Sequence, residues 1–212
     1  MAERRTQADR TAESRQRLIL ATIRLLPKRG YARTSLAEIG REAGVSRGLV
    51  THHFGSKEAC MIAVAQHIGN TVEERINQAN LHGLDAVDKT IEVYFDASRN
   101  EDSNALALFI ILMESVTSVP ALRPAVAKYN ARIREFLSDL LVSAAGPDGS
   151  VLDRRDADAL AVLVEGLLRG VALQWLADPE RIELDHVATQ AKCMVRDAVA
   201  GCIMRSRTIP SV

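Results

Sequence analysis

The spacing of apolar residues, repeated along almost the whole chain, restricts the fold more than any other sequence feature. Apolar residues recur three and four positions apart, which is the period of an amphipathic helix, and no stretch alternates convincingly as a strand does. The composition agrees, with 47% hydrophobic residues, 4% aromatic residues and only 6 prolines in 212 positions. We therefore predict an all-α protein of about nine helices.

The predicted helices are a first one over residues 11–26, two short ones between residues 34 and 54, and six longer ones near 56–80, 84–99, 103–117, 120–145, 153–177 and 183–206. Pro27 and Gly30 predict that the first helix kinks or ends there. The second begins either at Thr34 or at Ser35, which can form a capping box with Glu38.

Charge is divided unevenly between the two parts of the chain. Residues 1–60 hold 12 Lys and Arg against 6 Asp and Glu, whereas the remainder holds 15 against 21. This asymmetry predicts a small basic module that binds a polyanion, attached to a larger acidic module. We place the division at 1–55 and 56–212, with the helix that starts at Ser56 belonging to both modules.

Neither export nor a tightly bound cofactor is indicated. The longest apolar run, residues 105–113, is too short to span a bilayer, and the charged N-terminus has no apolar segment behind it. Cys60, Cys193 and Cys202 show no CxxC spacing, so we expect reduced thiols rather than disulfides or a metal site. These features predict a cytoplasmic protein without metal, cofactor or membrane partner.

The stretch "AGVSRGLVTHHFGSKEA", residues 43–59, suggests a specific surface. At about 100° per residue, Val50 and Phe54 share the inner face of a two-turn helix. The outer face and shoulders then carry Arg47, Gly48, Leu49, Thr51, His52 and His53. Such a mixed donor, acceptor and methyl surface, preceded by a short capped helix and a glycine turn, is typical of a helix-turn-helix over residues 35–54.

The adjacent histidines His52 and His53 could also belong to a metal site, an acid–base catalyst or an ordinary solvated surface. His52 and His53 diverge by about 100° around the helix and have no nearby cysteine or carboxylate to complete a metal site. Acid–base catalysis needs a concave site, which an exposed two-turn helix does not supply. Two solvated histidines on an ordinary surface helix remain the alternative to DNA recognition.

The stretch "TSLAEIGREAGVSRGLVTHHFGSKEA", residues 34–59, resembles the DNA-binding signature of the TetR family of one-component transcriptional regulators. The resemblance covers residues 12–72, and the glycines, cap, aromatic residue and lysine agree in spacing. Gly40 replaces the usual alanine, which should be harmless. Thr51 replaces the usual tyrosine, as in a branch similar to the choline-responsive regulators.

The resemblance implies that the third helix enters the major groove of double-stranded DNA. Arg47 would read a guanine, and Leu49 would lie against a thymine methyl. Thr51 and His52 would bond to base edges or phosphates. His53 and Lys57 would contact the phosphate backbone, Thr34 is a further phosphate candidate, and the DNA-binding set also includes Ser35, Ser46 and Gly48. Arg4, Arg5 and Arg10 form either an arm in the adjacent minor groove or a solvated tail.

The last two predicted helices are apolar nearly all round, so they need cover on more than one side. A second copy of the chain can supply that cover, and the family resemblance also implies dimerisation through these helices. The candidate interface residues are Leu163, Gly166, Leu167, Gly170, Val171, Met194, Ala198 and Cys202. The alternative is that both helices are buried within one chain.

A small-molecule effector would bind among the middle helices. The candidate lining residues are Met61, Val64, Ile68, Phe109, Met113, Glu114, Tyr129, Ile133, Phe136 and Trp175, although ordinary core packing explains each of them as well. We predict a homodimeric regulator, a repressor that an effector releases from a palindromic operator. The alternatives are a helical enzyme or ligand-binding protein, or a helical adaptor, without DNA binding.

Overall fold

The computed structural model describes residues 6–99, 104–144 and 151–208, and within these ranges the chain is helical and contains no strand. The nine α-helices of the described ranges are α1 Gln7–Arg33, α2 Leu36–Glu42, α3 Arg47–Phe54, α4 Lys57–Ala79, α5 Gly83–Arg99, α6 Asn104–Val116, α7 Arg123–Val142, α8 Arg154–Ala177 and α9 Leu184–Thr208. A short 3-10 helix, Pro120–Leu122, precedes α7. The all-α prediction is confirmed.

The first helix continues through Pro27 and breaks at Gly30, where the backbone has φ +70°. The helical pattern therefore extends seven residues beyond the predicted end at Leu26, since Arg33 is its last residue. Proline removes one hydrogen bond and bends a helix, but the left-handed conformation of Gly30 interrupts it.

The chain divides into two compact units, each assembled from two segments. The first contains 1–68 and 100–127, and the second contains 69–99 and 128–212. The division between residues 68 and 69 falls inside α4. The boundary predicted at 55/56 separates a DNA-binding module from an effector-binding module, whereas these units are defined by their internal contacts. That boundary stays a prediction.

In the first unit, α1 packs against both α2 and α6, and α2 packs against α3. Fully or almost fully buried side chains from four helices form its core, namely Leu18, Ile19, Leu26, Ile39, Val50 and Met61. Because α2 and α3 each contribute a single large buried side chain, α1 provides most of the apolar surface that holds them in place.

In the second unit, α5, α8 and α9 pack against one another around a continuous apolar core. Ion pairs fasten α9 to α5: Arg196 contacts Asp85 and Asp88 at 2.8 and 2.7 Å, and Lys192 contacts Glu92 at 2.5 Å. Burial of the Val87, Ile91 and Phe95 side chains is the larger contribution to this packing, since exposed ion pairs contribute little.

By length and composition, α8 could cross a membrane, and so could α6 and α7 if they are counted as one bent span. Only 33% of the most apolar window of α8 is buried. Its outward face carries Val162, Leu163 and Leu173, which are 52%, 65% and 54% exposed. This helix therefore leaves a large apolar face without cover.

Candidate nucleic-acid interface

Local hydrogen bonds cap the first turn of each helix of the helix-turn-helix. Ser35 accepts a hydrogen bond from the Glu38 backbone N–H at 3.2 Å, and the Glu38 carboxylate accepts one from the Ser35 N–H at 3.3 Å. This reciprocal capping box shows that Ser35, rather than Thr34, begins α2. Ser46 caps α3 by accepting from the Leu49 N–H at 3.3 Å.

The turn between α2 and α3 is tight at two glycines. Gly44 has φ +70°, a conformation that side chains other than glycine rarely adopt. At Gly40 a Cβ atom would lie 2.8 Å from the Val45 carbonyl oxygen, closer than real Cβ contacts allow. Glycine therefore fits this corner, whereas the usual alanine would require a shift, because the corner closes on the space that a methyl group would fill.

Helix α3 presents the inner and outer faces that its sequence predicts. Val50 is fully buried and Phe54 is half-buried, so the inner face is confirmed. Its exposed positions are Arg47, Gly48, Thr51 and His52, and Leu49 and His53 are half-buried beside them. One row of donors, acceptors and a methyl group thus faces away from the core.

Contacts with α1 hold α3 in position. Nε2 of His53 lies 3.1 Å from the Ser14 hydroxyl, and the Arg15 guanidinium lies 5.3 Å from the Phe54 ring centroid. Burial, then the charges of His52 and Arg15, lower the pKa of His53, so its ring is neutral at physiological pH. The second histidine therefore positions the helix, whereas His52 is free to face a ligand.

Two further candidates already have intramolecular partners. Thr34 is fully buried, and its hydroxyl donates to the Gly30 carbonyl at 2.8 Å, so phosphate contact at this residue would use another atom or a rearranged side chain. Nζ of Lys57 donates to the Tyr31 carbonyl at 2.6 Å and to that of Ala32 at 3.4 Å. Arg4 and Arg5 lie outside the described residues.

The Lys57 ammonium stabilises the last turn of α1. It faces two carbonyl oxygens at the negative end of the helix dipole and lies 3.9 Å from the Tyr31 ring centroid. An ammonium group has three N–H donors, so one remains for a DNA phosphate. Lys57 can therefore support both the fold and the interface.

Lys57→Ala should lower the free energy of unfolding by about 1–2 kcal/mol, because it removes a hydrogen bond and a cation–π contact. Urea denaturation of the free protein measures this change, with Lys28→Ala as the control because Lys28 is an exposed lysine on α1, the helix whose last turn Lys57 contacts. Equal stability of both variants would mean that the ammonium does not hold α1 in solution.

The candidate effector residues are distributed over both units. Met61, Val64 and Ile68 are buried in the first unit, where Phe109 and Glu114 are half-buried and Met113 is 56% exposed. In the second unit, Tyr129, Ile133, Phe136 and Trp175 are half-buried. Burial, then Glu58 and least Glu114, raise the pKa of Tyr31 to about 12.

The candidate dimer residues fall into two groups. Leu163 and Met194 are 65% and 60% exposed, and a Cβ at Gly166 or Gly170 would meet no atom within 4 Å. By contrast, Leu167, Val171 and Ala198 are half-buried against the core, and Cys202 is buried. The first group is available to a partner, and the second mainly supports the fold.

Sequence reasoning missed a polar cluster inside the second unit that contains Tyr94, Arg134, Glu165 and Arg169. Glu165 is 6% exposed and pairs with Arg134 at 3.3 Å and with Arg169 at 2.7 Å. The signal was present in the sequence, since an acidic and a basic residue stand four positions apart within the apolar run of α8.

Comparison with known proteins identifies the family. Residues 18–64 match the family model described as bacterial regulatory proteins, tetR family, and residues 84–200 match that of the BetI-type transcriptional repressor C-terminal domain. The regulator CymR of Pseudomonas putida is 31% identical over 186 residues, which cover 85% of this chain and 89% of CymR. The chain belongs to the TetR family. The family and its relatives are transcriptional regulators, not enzymes.

Solved structures share the fold of this TetR-family protein. A TetR-family regulator from Rhodococcus sp. has a TM-score of 0.76 at 19% identity, covering 89% of this chain and 99% of that one. SmeT, the repressor of a Stenotrophomonas maltophilia multidrug efflux pump, has been solved with triclosan. That complex has a TM-score of 0.69 at 20% identity and covers 88% and 91% of the two chains. The family membership predicted from the resemblance of residues 34–59 is confirmed.

Proposed function

We propose that this protein is a cytoplasmic repressor that binds a palindromic operator as a homodimer and leaves it when a small-molecule effector binds. The observation that carries the DNA-binding part is the exposed face of α3, where Arg47, Thr51 and His52 stand together with no side chain covering them among the described residues. An α-helix of this kind fits the major groove, and these side chains match its donors and acceptors.

The uncovered apolar face supports the homodimer. Leu163 and Leu173 on α8 and Met194 on α9 are each more than half exposed. A contiguous apolar surface of this kind marks an interaction site, and most homo-oligomers are symmetric dimers. The open space over Gly166 and Gly170 lets the partner's backbone approach closely. This supports an interface of α8 and α9 with the same two helices of a second copy.

Dimerisation explains how so short a recognition helix can select an operator. Helix α3 has 8 residues, so a single copy contacts few base pairs. Two copies related by a two-fold axis read two half-sites, about 34–36 Å or one helical turn apart, or a multiple of it. The operator of this protein is therefore an inverted repeat.

Release by an effector follows as a shift between two conformations. The effector binds more tightly to the conformation in which the spacing of the two α3 helices does not match the operator. The effector therefore lowers the protein's affinity for the operator, and the operator lowers the protein's affinity for the effector by the same factor. The structure of the neighbouring repressor SmeT with triclosan supports an effector that is a small organic molecule.

The DNA immediately upstream of the gene tests the proposal. The purified protein should protect an inverted repeat in that region from nuclease digestion, and a duplex with one scrambled half-site should bind at least about 100-fold more weakly. Equal affinity for the intact and scrambled duplexes would contradict specific operator binding.

A further inference from the structure

The polar cluster in the second unit lies among three helices that contribute to one apolar core. Tyr94 comes from α5, Tyr129 and Arg134 from α7, and Glu165 and Arg169 from α8. Burying polar groups is unfavourable unless each finds a partner, so the partners show what the cluster is built to do.

Two guanidinium groups surround one carboxylate. Arg134 lies 3.3 Å from Glu165 Oε2, and Arg169 lies 2.7 Å from Glu165 Oε1. Arg169 also donates to the Asn130 side-chain oxygen at 2.9 Å. The triad of Arg134, Glu165 and Arg169 therefore has a net charge of +1, and side-chain exposures of 35% and 21% keep the two arginines accessible from the surface.

The Tyr94 hydroxyl has no hydrogen-bond partner among the described residues, although its oxygen is enclosed. A buried hydroxyl without a protein partner is unfavourable, and a ligand that accepts its hydrogen bond removes that cost. Burial raises the pKa of Tyr94, and it raises that of Tyr129 to about 12. Both side chains are therefore neutral phenols whose O–H groups can donate.

We propose that Tyr94 and Arg169 form the polar end of the effector site, and that the effector is a small organic acid whose carboxylate accepts the Tyr94 hydrogen bond. This inference rests on the proposed function, which requires an effector. The net positive charge favours an anion and opposes an ammonium compound. The apolar body of the acid lies against the half-buried side chains beside the core, among them Ile133 and Trp175.

The Tyr129 ring lies where the effector would meet α4. A Cβ atom at Gly69 of α4 would be 2.8 Å from Cε2 of Tyr129 and 3.3 Å from Cδ1 of Ile133. The ring therefore packs directly on the α4 backbone. A carboxylate that moves Tyr129 displaces this part of α4 as well, because there is no intervening side chain to absorb the movement.

Tyr94→Phe distinguishes a ligand site from ordinary packing. Removal of an unpartnered hydroxyl should leave the melting temperature of the free protein unchanged or raise it. Tyr129→Phe is the matched control, because the Tyr129 hydroxyl is bonded to Arg169 and its loss should lower the melting temperature. An equal decrease for both variants would overturn the inference, since it would show that Tyr94 has a partner within the protein.

Binding of hexanoate, cyclohexanecarboxylate and benzoate, each compared with its amide and its amine analogue, tests the ligand class. At least one carboxylate should bind the full-length protein about tenfold or more tightly than its analogues, and Tyr94→Phe should weaken that binding by a similar factor. Preference for an amine, or no binding by any of the three acids, would overturn the inference. Operator binding without ligand, measured in parallel for both proteins, reports on the proposed function separately.

Discussion

A protein with glutamate in place of Leu163 and Met194 should be a soluble monomer that binds its operator at least about 100-fold more weakly. Both side chains are more than half exposed on the apolar face of α8 and α9, so the substitutions leave the core intact. In a symmetric dimer each substitution occurs twice, which buries four unpaired carboxylates. The free-energy cost of burying these carboxylates exceeds the net binding free energy that an interface of ordinary size has after the costs of association.

Light scattering during gel filtration gives the mass, and titration of operator DNA gives the affinity. Val116→Glu is the control, because Val116 is 57% exposed but lies on α6. Leu167 and Val171 are less suitable positions, since they pack against the core and a charge there would damage the fold. A variant that remains a dimer with wild-type operator affinity would refute the interface on α8 and α9.

Arg47→Ala should lower operator affinity by about 1–3 kcal/mol per substituted half-site and change binding to unrelated DNA much less. Arg47 is exposed in the first turn of α3, where its planar guanidinium can donate two hydrogen bonds to a guanine. The loss should therefore be confined to sequences that carry the recognised base.

Lys57→Ala provides the contrast. It should weaken binding to operator and random duplexes alike and reduce the salt dependence by about one unit per subunit, since one fewer counterion is released. Titrations at several salt concentrations must be done well below the melting temperature of the variant, because Lys57 also holds α1. Equal losses on both DNAs for Arg47→Ala would mean that another face of α3 reads the sequence.

Local and periodic features of the fold were predictable from the sequence. The predicted limits of the eighth helix, 153–177, agree with α8 to one residue because Asp153 is an N-cap and the apolar pattern is unbroken. The inner face of α3 also follows from spacing alone, since Val50 and Phe54 are one turn apart.

Contacts between residues distant in sequence were not predictable. The bond from Lys57 to the Tyr31 carbonyl joins residues 26 positions apart, and nothing in "SKEA" indicates it. Tyr94 likewise comes under the influence of the Glu165 and Arg169 charges only after α5 and α8 have packed. The effector site therefore remains a prediction, because it depends on contacts between residues distant in sequence. The base contacts also remain predictions, because they depend on a DNA partner.

The close approach at Gly40 matters to anyone who transfers DNA specificity between relatives. Exchanging residues 47–54 alone would place this recognition helix on a corner in which alanine normally occupies position 40. A corner that holds alanine has room for its methyl group, which this corner does not leave beside the Val45 carbonyl, so the transplanted helix would start from a different corner geometry and meet the groove at an altered angle. A faithful graft therefore begins at Ser35 and includes the whole corner.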